Sequence, residues 1–239
     1  MKVTSLALDP IEKKPLARFH PGSKILSVGS MGCTMHCPWC QNHEIAQPQN
    51  ASLLPYREMG SIELADTAEN FVTRGNVGLA YTYNEPLLHW KEVLDCADEI
   101  KGRNLLNVVV TNGLISQDKL RILLPYIDAF NIDLKGFDQS VYDICGGALE
   151  TVMQTIVLAA EHSHVEVTTL IIPGLNDTIG LIEKEAAWLA GIDSDIALHL
   201  TRFFPQFLFL DCGATPLTTM HEAETAARKH LKHVYLGNI

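Results

Sequence analysis

Short apolar, β-branched runs alternate along the chain with stretches whose apolar positions recur at helical spacing. The runs Ile25–Val28, Val77–Tyr81, Leu105–Val110, Ala129–Leu134, Val165–Ile172 and Ile196–Leu200 read as strands of a parallel sheet covered by helices. A seventh apolar run, Val234–Leu236, lies near the end. Helical patterns fall between them at Ile62–Arg74, Leu87–Gly102, Lys119–Leu124, Leu149–Glu161, Ile179–Ala190 and His221–Leu231. Ser61 followed by Glu63 marks one helix start, and Thr178 followed by Glu183 another. Strand then helix, six times over, predicts an α/β fold of the partial (β/α)6 TIM-like barrel type.

Polar residues collect just behind each predicted strand. A cysteine loop follows the first, Tyr83-Asn84-Glu85-Pro86 the second, Thr111-Asn112-Gly113 the third, Lys135-Gly136 the fourth, Pro173-Gly174-Leu175-Asn176-Asp177 the fifth and Arg202 the sixth. In parallel α/β barrels the ligand site forms at the carboxyl ends of the strands. The six polar sets are therefore expected at one mouth.

Composition narrows the function. At 239 residues, with 47% hydrophobic and 19% charged side chains and no low-complexity stretch, one soluble globular domain over residues 1–239 is expected, with 1–24 as a lead-in. A formal charge of −10 without a Lys/Arg cluster disfavours nucleic acid as a partner. No apolar run reaches 18 residues and Met1–Pro10 lacks the regions of a signal peptide, so a cytoplasmic protein with no membrane partner is expected.

Cys33, Cys37 and Cys40 stand within eight residues, close enough to serve one metal centre. Tight spacing in a reducing compartment favours metal over a disulfide. A [4Fe–4S] cluster normally takes a cysteine at each iron, so three leave one iron open to a ligand that is not protein. The rival is a zinc knuckle completed by His36 or His43, but no second cysteine pair follows. A metal-binding interaction module without catalysis is the alternative from another functional class. Cys96, Cys145 and Cys212 are scattered and read as small buried hydrophobes.

Other residues carry two readings each. Gly32 permits an unusual turn before Cys33, and Trp39 either offers a face to an aromatic ligand or shields the cluster. Glu85 either pairs with an ammonium group on a ligand or caps the helix entered at Pro86. Thr111 and Asn112 form a turn or meet a ligand. Asp133 and Lys135 share a strand face and either bridge each other or bind a carboxylate. His199 is a core histidine or a ligand contact, Arg202 a surface or salt-bridge residue, and His162 and His164 solvated. The run Phe203–Phe209 is expected to close part of the barrel mouth.

The chain resembles the radical S-adenosylmethionine (radical SAM) superfamily, on Cys-x3-Cys-x2-Cys behind the first strand of a β/α repeat. Within it the likeness is to the branch of glycyl-radical-enzyme activases, and there to the AmmeMemoRadiSam-system enzymes, in a short version. The closer match lies in Asp9–Leu16, His20–Ser23, Cys37–Asn42, Tyr81–Pro86, Val110–Gly113, Asp133–Gly136, Val165–Leu170 with Pro173–Asp177, and Tyr235–Asn238. The resemblance implies that S-adenosylmethionine (SAM) chelates the open iron of a [4Fe–4S] cluster held by Cys33, Cys37 and Cys40. It implies reductive cleavage of SAM to a 5′-deoxyadenosyl radical, which takes a hydrogen atom from the substrate. By position it places Glu85 at the SAM amino group, Thr111, Asn112 and Lys135 among ribose or carboxylate contacts, and His199 at the nucleoside. Implied partners are an electron donor such as flavodoxin or ferredoxin and, for an activase, a protein substrate that receives a glycyl radical. The chain departs from activases in having Val110 before Thr111-Asn112-Gly113 in place of aspartate, and Thr168 where arginine is common. Phe203, Phe204 and Phe207 stand where the nearer relatives carry histidine and tyrosine.

Overall fold

The structure is a computed structural model that describes residues 1–49 and 53–239. Its strands are β1 (Lys2–Val3), β2 (Ser5–Pro10), β3 (Lys24–Gly29), β4 (Arg57–Glu58), β5 (Asn76–Tyr81), β6 (Leu106–Thr111), β7 (Ala129–Asp133), β8 (His164–Ile171), β9 (Ala197–Arg202) and β10 (His233–Gly237). The helices are α1 (His43–Ala46), α2 (Ser61–Asn70), α3 (Trp90–Gly102), α4 (Gln117–Leu123), α5 (Gln139–Cys145), α6 (Leu149–Ala160), α7 (Ile179–Ile192) and α8 (Leu217–Ala227). The main sheet runs β10-β9-β8-β7-β6-β5-β3-β2. All neighbours in it are parallel except β2, which lies antiparallel on β3. The ends β10 and β2 are not paired with each other, so the barrel stays open.

All six predicted strands form, and the seventh apolar run adds β10 in parallel to β9. The last helix begins at Leu217, four residues before the expected His221, because Pro216 supplies a fixed φ at the helix entrance. Pro86 acts similarly before α3. It opens a 3-10 turn over Pro86–His89, and the α-helix starts only at Trp90. Among the described residues no single helix is long and apolar enough to cross a membrane.

Alternation along the strands sorts the two faces. Leu26, Val28, Leu79, Tyr81, Val109, Phe130, Ile132, Val165, Val167, Leu198 and Leu200 are buried in the main core with the helices. The opposite face lines the inside of the barrel with small or polar residues, among them Ser27, Gly78, Ala80, Ala129, Asn131, Glu166, Thr168 and His199. Such an inner wall leaves room that Leu and Phe would fill.

The lead-in closes the floor of this space. Ile11 and Leu16 are fully buried against Ile25, Ala80, Val108 and Ala129. The chain is pinned there by Asn131, whose Nδ2 donates to Pro15 O at 2.9 Å, and by Glu166, which accepts from Ala17 N and Arg18 N at 3.0 and 2.8 Å.

One carboxyl on the outer face sets a pH response. Glu185 of α7 is buried, accepts from the Thr169 hydroxyl of β8, and is raised by burial to about 8 against an ordinary 4.5. Between those values the folded chain keeps a proton that the unfolded chain releases, so stability falls as pH rises through the window. Glu185→Gln removes this slope, worth about 1.4 kcal/mol per pH unit at most. Thermal melts of wild type and variant should therefore diverge toward pH 8, with the variant the more stable. Parallel curves would show that Glu185 does not titrate there.

Candidate active site

The mouth is built where the parallel strands end. Behind β3, Gly32 takes φ 90° and turns the chain into the cysteine loop, with Gly32 N donating to Ile45 O at 2.8 Å and Cys40 N to Cys37 O at 3.1 Å. The loop is braced from two sides. On one, α5 and α6 meet at 102° around Gly146 and Gly147, and His36 N donates to Cys145 O at 2.9 Å. Gly146 has φ 73°, and a Cβ there would stand 2.2 Å from the His36 ring. On the other, the loop behind β9 lies across it: Leu208 N donates to Pro38 O at 2.9 Å, Phe207 stacks on His43 at 4.1 Å, and Phe209 meets Trp39 edge-on at 5.6 Å.

These braces bear on the metal question. His36 is turned against Gly146, and His43 is held by the Phe207 stack with its Nδ1 at 3.2 Å from Cys40 O. Both histidines of the zinc alternative are thus engaged elsewhere. Among the described residues no three His, Cys, Asp or Glu side chains converge as they would on a single ion. In a [4Fe–4S] cluster each thiolate meets its own iron, so the three sulfurs need not converge on one point. Burial pushes the Cys33 thiol up to about 11 and also raises Cys40, while the neighbouring Cys145 thiol lowers Cys37. Three soft sulfur donors beside the Lys135 ammonium fit a cluster that binds thiolates.

Asn112 joins this loop to the neighbouring strand ends. Its Nδ2 donates to Thr34 Oγ1 at 3.0 Å and contacts Cys33 Sγ at 3.5 Å, while its backbone N donates to Glu85 Oε2 at 2.7 Å. Glu85 Oε1 accepts from Thr111 Oγ1 at 2.7 Å and Leu87 N at 2.9 Å. Cys33, Glu85, Thr111 and Asn112, taken from three separate strand ends, therefore share one network. Glu85 both caps the Pro86 turn and stands in this ring. Burial raises it to about 7, against the lowering effect of its three donors.

Lys135 lies with Asp133 at 2.8 Å, so the bridge of the two readings is formed. Burial would lower the ammonium, but Asp133 and the Cys37 thiolate raise it well above the usual lysine range, and it stays charged. Its backbone is fixed by Tyr142 Oη, which accepts Lys135 N at 3.1 Å, and by Asn176 Nδ2, which donates to Lys135 O at 2.8 Å. Trp39 is buried against Phe209, in the arrangement of a shield. His199 is apart from the mouth ring, in the wall of β9, where its Nε2 lies 2.6 Å from Glu166 Oε2.

Some contributors carried no signal of their own in the sequence. His164 is half-buried: its Nε2 sits at 2.9 Å from Glu166 Oε1 and its ring tilts over Phe19, while part of the side chain still meets solvent. Tyr83 adopts φ 72°, unusual for a tyrosine, and folds its ring back along β3, where a Cβ on Gly29 would stand 2.9 Å from it. Its hydroxyl donates to Asp9 Oδ2 at 2.7 Å, and Lys14 Nζ pairs with the same oxygen at 2.9 Å. The Asp9–Leu16 and Tyr81–Pro86 segments, 74 residues apart at Asp9 and Tyr83, are thereby joined. Burial would raise Asp9, yet Lys14 and Tyr83 hold it well below the usual carboxylate range, while burial pushes Tyr83 up to about 12. Arg202 donates to Thr215 O at 2.7 Å, with its guanidinium over Phe204.

The sequence model of the radical SAM superfamily matches residues 27–184, more than half of the chain. An uncharacterized protein of Methanocaldococcus jannaschii is 37% identical over 242 residues, covering 100% of this chain and 71% of its own length. An isethionate sulfite-lyase activating enzyme of Desulfovibrio desulfuricans is 27% identical over 124 residues, 50% of this chain and 38% of that protein. In fold, the chain is similar to SuiB of Streptococcus suis, solved bound to S-adenosylmethionine, with a TM-score of 0.67 at 12% identity over 89% of this chain and 51% of that one.

Proposed function

Since the chain belongs to the radical SAM superfamily, whose members hold a [4Fe–4S] cluster and use SAM, we propose that it removes a hydrogen atom from a substrate held inside the barrel. When bound, the cluster and SAM supply the hard step, reductive cleavage to methionine and a 5′-deoxyadenosyl radical. The chain's own residues bind, orient and exclude water. Cys33, Cys37 and Cys40 hold the cluster, and Glu85 offers its carboxylate to the SAM amino group. Thr111, Asn112 and Lys135 reach the ribose or carboxylate, and His199 the nucleoside. Trp39, Phe207 and Phe209 cover the cluster side from solvent, which a primary carbon radical requires.

The observation that carries this reading is the single network from Cys33 through Asn112 to Glu85 and Thr111. It sets carboxylate, hydroxyl and amide beside the thiol loop, where a ligand of the open iron would lie. Anaerobic reconstitution should give a brown protein with about four irons and four sulfides per chain. Dithionite with SAM should then release 5′-deoxyadenosine and methionine. Zinc in place of iron, without visible absorption, would overturn the assignment.

A second reading keeps the chemistry and makes the substrate a protein, the chain acting as an activase that installs a glycyl radical. It is supported by the similarity to a lyase activating enzyme and by the exposed apolar rim of Phe204, Leu208 and Leu210 beside the cysteine loop. Val110 and Thr168, standing for the activase aspartate and arginine, weigh against it. An electron donor such as flavodoxin or ferredoxin belongs to either version. A glycyl doublet in electron paramagnetic resonance, appearing on a partner protein, decides for the activase.

A further inference from the structure

Glu166 is fully buried in the inner wall of the barrel, yet it is not a stray charge. Oε2 accepts from His199 Nε2 at 2.6 Å and Ala17 N at 3.0 Å, and Oε1 from His164 Nε2 at 2.9 Å and Arg18 N at 2.8 Å. Burial alone would raise this carboxyl, but those four donors bring it down to about 2, so it is an acceptor at any working pH. An ionised carboxylate has no proton to give, and the hydrogen on His199 must therefore sit on Nε2. The ring is further fixed by stacking on Tyr235 at 5.2 Å.

The other ring nitrogen is different. Among the described residues Nδ1 of His199 has no hydrogen-bond partner, and it is not among the buried polar atoms left without one, which are Ser23 Oγ and His230 Nε2. It therefore keeps some exposure, in a side chain that springs from the same strand face as Thr168, its neighbour across the β8–β9 ladder, and Asn131.

We propose that Glu166 is a positioning residue that locks His199 in the Nε2–H tautomer, so that Nδ1 presents a lone pair to a hydroxyl or amino donor of the bound nucleoside. This rests on the reading of His199 as a SAM contact. The same carboxylate ties the lead-in floor to the barrel wall, so the lock and the floor share one anchor.

Nitrogen-15 spectra of the reconstituted protein, cluster oxidised, test the lock directly. They are taken at about pH 8.5, above the ordinary histidine range, with the ring assigned by its loss in His199→Ala. A bare Nδ1 and protonated Nε2 are expected, with the Nδ1 resonance moving on addition of SAM. A protonated Nδ1 in the unmutated protein would overturn the proposal, with no variant needed. Glu166→Ala should give averaged tautomers and SAM affinity weaker by about tenfold, the size of one hydrogen bond. Unchanged SAM affinity in His199→Ala would instead defeat the reading of His199, whatever its tautomer. Weakened binding in His199→Ala beside unchanged binding in Glu166→Ala would defeat the lock alone.

Discussion

Replacing Cys37 with alanine should leave a folded protein that takes up no stable [4Fe–4S] cluster and forms no 5′-deoxyadenosine above background. Cys37 is the most buried of the three loop cysteines, at 8% exposure, and lies at the centre of the braced loop. Its backbone neighbours are held from outside, His36 by Cys145 O and Pro38 by Leu208 N, so removing the sulfur does not unpin the chain. Two thiolates cannot replace three, and iron should fall from about four per chain to a small residue. Far-ultraviolet circular dichroism should match wild type. Cys145 is the informative control, because its thiol is buried beside Cys37 but outside the loop. Cys145→Ala should keep its iron. If Cys37→Ala stays brown with full iron while Cys37→Ala/Cys145→Ala is colourless, then Cys145 can serve as a ligand and the three-cysteine assignment is wrong.

SAM affinity should climb with pH up to about 7, by as much as tenfold per unit, and then level off. The reason is the raised Glu85 carboxyl. Below about 7 it is protonated and offers no charge to the hydrogens of the SAM amino group, and above it the carboxylate accepts them. The sign is opposite for the ligand-free protein. There the folded chain holds a proton that an unfolded carboxyl, at 4.5, has lost, so ionising Glu85 costs stability as pH rises toward 7. SAM binding and loss of that proton are therefore linked. Glu85→Gln should bind weakly and without the pH slope, while retaining iron. Glutamine is the better probe than alanine, which would strand Leu87 N, Thr111 Oγ1 and Asn112 N, at about 1–3 kcal/mol for each buried donor. Titration calorimetry over the range decides it. A slope that persists in Glu85→Gln would take Glu85 out of the amino-group site.

The barrel strands were legible because each carries Val, Ile, Leu or Phe at alternate positions, in a short run between helical patterns. The mouth was legible because cysteine, glutamate and lysine each break such a run at its end. Glu166 was not. It sits inside Val165-Glu166-Val167, where local sequence alone does not tell an inner wall from a wet one, and two of its donors lie 148 and 149 residues away. Cys145 looked like a scattered thiol for the same reason, since only the α5–α6 corner brings it to Cys37. Tyr83 was hidden differently: a left-handed backbone is rare for tyrosine, and nothing in Tyr-Thr-Tyr-Asn-Glu-Pro announces it.

The pinned lead-in also fixes an order of events. Ala17 and Arg18 are made early, but the acceptor that holds them belongs to β8, so their loop is among the longest the chain must close. Contacts of such separation slow folding. The floor of the barrel is therefore expected to set last, after the sheet has grown from β3 to β8, and in pulsed hydrogen exchange the Ala17 and Arg18 amides should gain protection later than those of β5 to β7. Until that moment the nascent barrel lacks its floor, and the space between its inner walls is sealed from below only at the final step of folding.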